Sequence, residues 1–242
     1  MVMVRAEQVQ ATRELIMAAA EHLFAEQGVA AVSARQIGEA AGQGNTAAVG
    51  YHFGTKTGLV QAIIRKHTDD IERIRARMAA EAEGSGDLRD WVSCLVRPST
   101  DHLASLGAPT WFARFAVQVL ADPGLRPLLM NETYASPALG QALKGVDGCL
   151  SGLPATVRAE RDDMVLALIV HVIGRHERLL AGAAREPGAP DPRASWHGTA
   201  TGLTDAIVGL YQAPVTPTGQ ARQSPMREAR QPPEEGKGKR KR

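Results

Sequence analysis

The sequence predicts an all-α protein, with a short N-terminal unit of three helices in a helix-turn-helix and a larger helical body behind it. Three observations predict this. Apolar residues recur at helical spacing along most of the chain, and no stretch alternates as a half-buried strand does. Within the first quarter, two very short helical segments are joined by a tight turn containing glycine.

The elements follow in order. Ile16, Ala20, Leu23 and Phe24 fall on one face of a helix spanning 13–27, with Thr12 as its expected N-cap and Gly28 as its left-handed end. Ser33 and Gln36 then have the spacing of a capping box, and Val32 and Ile37 that of a hydrophobic staple, so a second helix starts here. Gly42-Gln43-Gly44 breaks it. Asn45 or Thr46 is placed to cap a third short helix ending near Tyr51. Thr55 caps a long fourth helix carrying Leu59, Ile63, Ile71, Ile74 and Met78, which ends within 81–87. Pro98 is expected to kink or stop the helix that begins near Asp87. Further helices are expected at about 110–121, 125–132, 137–151, 155–184 and 195–211. From Pro214 the chain is rich in Pro, Gln, Gly and charge and reads as disordered. The expected organisation is therefore 1–66, 67–212 and a basic tail over 213–242.

Charge is unevenly distributed along the chain. Residues 213–242 hold eight Lys/Arg against three Asp/Glu, residues 1–66 six against five, and residues 67–212 fourteen against eighteen. An acidic middle is no surface for a polyanion, so any nucleic-acid binding belongs to the ends. The tail reads either as a solvated terminus or as a non-specific DNA tether. No apolar run approaches the roughly 20 residues of a membrane-spanning helix, and the N-terminus lacks an export signal. Two unrelated cysteines, Cys94 and Cys149, indicate neither a disulfide framework nor a zinc site and suit a reducing cytoplasm. Phosphate loops, GxSxG and HExxH are absent, and His171 and His176 are poorly spaced for a metal pair. An enzyme is not expected, nor is a metal or cofactor.

The chemistry of the short third helix is what points to function. A helix-turn-helix holds a stub helix against a platform so that its outer side enters the major groove, where each base pair presents its own donors and acceptors. Ile37, Ala40, Ala41, Val49 and Phe53 supply the inward apolar positions. Asn45, Thr46, Ala47, Gly50 and Tyr51 face outward, and they are small or able to hydrogen-bond.

The stretch VSARQIGEAAGQGNTAAVGYHFGTKTGLVQAI, preceded by TRELIMAAAEHLFAEQG, resembles the DNA-binding domain of the tetracycline-repressor (TetR) family. Thr12, Phe24, Gly28, Ser33, Ile37, Ala41-Gly42, Val49, Tyr51-His52-Phe53, Lys56 and Leu59 carry the resemblance. It implies that Tyr51, His52 and Lys56 contact DNA phosphates. It further implies that Gln43 and the segment from Asn45 to Gly50 form the turn and recognition helix, with Asn45, Thr46, Ala47 and Tyr51 reading bases. The turn is one residue longer than the commonest family pattern, and Gly50 stands where a tyrosine is frequent.

The resemblance also implies a ligand-binding and dimerisation domain over 67–212, a palindromic operator and a small-molecule effector. Trp111, Phe112, Phe115, Met130, Tyr134, Met164 and His171 are the candidates to line an apolar pocket, with ordinary core packing the alternative for each. Met164, Leu166, Leu168, Val172, Leu179, Leu203, Ile207 and Leu210 on the last two helices suit a four-helix homodimer interface. Repressor is favoured over activator. The other reading is a regulator whose second domain answers to a protein partner or to no ligand.

Overall fold

Ten helices and no strand form among the described residues of the computed structural model, which are 2–43, 47–183 and 191–216, with side chains from residue 7 onward. Helix α1 (Val2–Gln27) begins well before the expected cap, so Thr12 lies inside it. No glycine or proline interrupts residues 2–12, and a threonine permits a helix start without forcing one. Gly28 ends α1 at φ +85°, as expected.

Helices α2 (Ala34–Ala40), α3 (Ala48–Phe53) and α4 (Lys56–Glu81) complete the N-terminal unit. The capping box forms in both directions: Ser33 Oγ accepts from Gln36 N, and Gln36 Oε1 accepts from Ser33 N at 2.8 Å. Thr55 caps α4 by accepting from Gly58 N at 2.9 Å. Because α4 runs on through residue 66, it belongs to the head and the body alike.

The body follows as α5 (Leu88–Leu106), α6 (Phe112–Ala121), α7 (Arg126–Tyr134), α8 (Pro137–Cys149), α9 (Ala155–Ala183) and α10 (Pro192–Gln212). Pro98 does not stop α5. Lacking an N–H, it leaves the carbonyl of Cys94 without its helical donor. Arg75 of α4 supplies one, its Nε lying 3.2 Å from that oxygen. Burial holds the Arg75 pKa below its usual value, while Glu72 at 3.5 Å works the other way. The helix survives its proline because a neighbouring helix replaces the missing bond.

One hydrophobic core runs from Ile16 in α1 to Tyr211 in α10. The head joins the body along α1 and α6, where Phe24 and Phe115 stack at 6.0 Å and His22 meets Trp111 at 4.6 Å. At the N-terminus of α6 the buried Glu177 of α9 accepts from the amides of Ala113 and Arg114 and from Arg114 Nε. Arg114 in turn donates to Glu26 on α1. A polar chain therefore connects α9, α6 and α1.

Helix α10 packs on α5 and α9. Leu203 and Ile207, two of the expected interface residues, are buried within this chain at 4% and 0% exposure. Their face of α10 is covered by its own body, which removes them from any dimer surface. Met164 and Leu179, at 50% and 58%, stay open, with Leu166, Leu168, Val172 and Leu210 half-buried. Thr204 is buried, and its Oγ1 meets no hydrogen-bond partner among the described residues. Thr204→Val is therefore expected to leave stability unchanged or raise it by up to about 1 kcal/mol, since an unsatisfied hydroxyl is lost and the shape kept. A lowered urea midpoint for the variant would contradict this.

Candidate nucleic-acid interface

Ile16, Ala20 and Phe24 give α1 a fully buried face, on which Ile37, Val49, Leu59 and Ile63 close. Ala41 is buried as expected, Phe53 is half-buried, and Ala40 faces solvent in place of Gly38, which is buried. With Ile37 buried on the inward side, the helical turn carries position 40 outward. Gly42 turns the chain at φ +67°, and Gln43 N donates back to Gly38 O at 2.9 Å. Gln43 itself is half-buried, with its Nε2 on Ala41 O at 3.2 Å. Gly44, Asn45 and Thr46 lie outside the described residues, and the expected Asn45 or Thr46 cap lies there with them. The first described residue of this segment is Ala47, which occupies the N-cap position of α3.

Helix α3 extends to Phe53, two residues beyond the expected end. Ala48 and Val49 point into the head, while Ala47, Gly50 and Tyr51 are exposed. These three sit at i, i+3 and i+4 and share one face. Tyr51 is 76% exposed, its ring edge-on to His52 at 4.9 Å. A Cβ added at Gly50 would meet nothing within 4 Å, so the glycine leaves open room on this face. The outward side of α3 is thus exposed among the described residues, with a phenol and an imidazole at its C-terminal end.

Two cations hold this helix in place. Arg13 of α1 donates to the carbonyl of His52 and lies 4.4 Å over the Phe53 ring. Lys56 is half-buried, its Nζ donating to Val29 O at 2.8 Å and Val32 O at 3.0 Å. Two of its three N–H donors therefore clamp the α1–α2 connection. Sequence reasoning did not single out Arg13 or Gly58. A Cβ on Gly58 would sit 2.3 Å from Phe53 O, so α3 and α4 meet where only glycine fits. The one local signal for this was a glycine in the first turn of an otherwise well-formed helix.

The seven pocket candidates do not converge. Phe112 and Phe115 are buried in the head–body seam, Trp111 and Met130 are half-buried, and Tyr134, Met164 and His171 are exposed. On α9 the inward stripe is Val165, Ile173 and Leu180, which turns Met164 and His171 outward. One cleft of about 440 Å³ lies among α1, α3 and α4, and another of about 370 Å³ among α4, α5 and α10; neither takes in any of the seven. Among the described residues no group of three His, Cys, Asp or Glu could hold a metal ion, and no helix is long and apolar enough to cross a membrane.

Residues 16–63 match the family model of bacterial regulatory proteins, tetR family. That segment holds the C-terminal part of α1, both helices of the helix-turn-helix and the first eight residues of α4. With its outer face exposed and its inner face packed on the platform, this head is similar to the DNA-binding domain of the tetR family, and the chain is a DNA-binding transcriptional regulator.

Proposed function

We propose that the chain acts as a cytoplasmic homodimeric repressor that occupies a palindromic operator and leaves it when a small-molecule effector binds the body. The observation that carries the reading is the open face of α3, with Tyr51 exposed beside Ala47 and Gly50. Tyr51 and His52 supply phosphate contacts, with Lys56 adding its remaining donor. Ala47 and Tyr51, together with the neighbouring Asn45 and Thr46, approach base edges.

A dimer is supported by the stripe on α9 in which Met164 and Leu179 are exposed and Leu168 and Val172 are half-buried. Two-fold pairing would set the recognition helices about 34–36 Å apart, matching successive major grooves. An effector that favours a wider spacing would shift the population from the DNA-competent state. No catalytic role is assigned. A second reading keeps the DNA-binding head and gives the body a protein partner or no ligand; the dispersal of the seven pocket candidates favours it.

Selection of duplexes from a random pool by the full chain tests the main reading. The expected result is a two-fold symmetric consensus with half-sites one helical turn apart. Recovery of unrelated sequences would overturn it. Thermal shifts with a metabolite library then separate the effector reading from the second one.

A further inference from the structure

Where α1, α4, α5 and α6 meet, two histidines are buried against each other. His67 of α4 and His102 of α5 are 3% and 2% exposed, with His67 Nδ1 and His102 Nε2 2.8 Å apart. His67 Nε2 lies 2.9 Å from the Glu21 carboxylate on α1. Phe112 of α6 stacks on the His67 ring at 3.9 Å. Glu21 belongs to the helix that platforms the DNA-binding unit, while His102 belongs to the body. We propose that this pair is a proton-sensitive joint between head and body, and that operator affinity falls when His102 becomes charged inside it.

The chemistry sets the sign. An imidazole–imidazole hydrogen bond needs an N–H on one ring and a lone pair on the other. It survives with both rings neutral or with one charged. With two imidazoliums, N–H groups confront each other across 2.8 Å and the bond cannot exist. The surroundings are mixed in charge. Glu21 faces the pair from α1, Asp70 lies 3.9 Å from His102 Nδ1, Arg73 also acts on His102 from α4, and α6 offers the Phe112 ring. Burial, then the neighbouring His67, lowers His102 from 6.5 to about 4. An opened joint therefore takes up the proton more readily than the closed one. The closed form is favoured fully above about pH 6.5 and loses ground progressively as pH falls toward 4.

The inference rests on the DNA-binding reading, and the test separates the two. The full chain is titrated by fluorescence anisotropy with its selected duplex and with a random duplex from pH 7 downward. Far-UV circular dichroism is recorded in the same buffers. The ratio of the two affinities cancels general charge effects. For the native chain the ratio is expected to fall at least about tenfold by pH 5, while helix content is kept. His102→Gln retains a hydrogen-bonding side chain that cannot titrate, and its ratio should stay flat. His67→Gln serves the same purpose if the first variant does not fold. The histidine ring signals of the native chain, followed by NMR, should show His102 charging in step with the loss of affinity. A flat native profile, or parallel falls in native chain and variant, overturns the joint. Absence of any selected duplex at neutral pH overturns the DNA-binding reading instead.

Discussion

Glu177→Ala is expected to destabilise the chain by about 3–5 kcal/mol, more than most single changes to it. Glu177 is 1% exposed, and its two oxygens accept from Ala113 N at 3.1 Å, Arg114 N at 2.9 Å and Arg114 Nε at 3.2 Å. Removing the carboxylate leaves two orphan amides at the start of α6 and the guanidinium of Arg114, itself 5% exposed, without its buried counter-charge. Glu26 and Thr110 O remain on Arg114, but Glu26 is half exposed and screened by water. The matching change Glu26→Gln should therefore cost less than about 1 kcal/mol. Urea unfolding of both variants at one protein concentration gives the comparison. Equal losses would contradict the assignment of Glu177 as the anchor of α6.

Gly58→Ala is expected to weaken binding to the selected duplex by at least about tenfold and to cost about 1–3 kcal/mol of stability. The new Cβ would lie 2.3 Å from Phe53 O, a backbone atom that cannot swing aside. Thr55 N also donates to that carbonyl at 2.8 Å, and the carbonyl of the adjacent His52 is held by Arg13. The end of α3 must move relative to α4, and Tyr51 and His52 move with it. A shift of about 1 Å suffices to lose contacts with base edges and phosphates. Anisotropy titration of the variant checks the first figure and urea unfolding the second. Native affinity in the variant would show that the close packing of α3 on α4 is not what aims the helix.

The parts of the head that were legible in the sequence are those fixed by local chemistry. The Ser33–Gln36 box, the Thr55 cap and the Gly28 terminus each involve residues a few positions apart, and each forms, while Val32 and Ile37 are both buried as a staple requires. Thr12 misled because a capping residue is also tolerated inside a helix that nothing interrupts. Pro98 misled because the donor that rescues its helix, Arg75, comes from another helix. The body was legible as helices but not as a site. Which face of α7 or α9 turns inward depends on partners far away in sequence, so Tyr134, Met164 and His171 could not be separated from true core residues. Arg13 and the Glu177–Arg114 pair act entirely through tertiary contacts, and only spacing in three dimensions reveals them.

The central claim is that the outer side of α3 reads DNA while its inner side is locked to the head. The most direct measurement compares the native chain and Tyr51→Ala on the selected duplex. Tyr51 is 76% exposed, so helix content and unfolding midpoint should be unchanged. The account predicts affinity lower by about tenfold or more for the variant, from the loss of one contact worth about 1–3 kcal/mol. Undiminished affinity in the folded variant would contradict it.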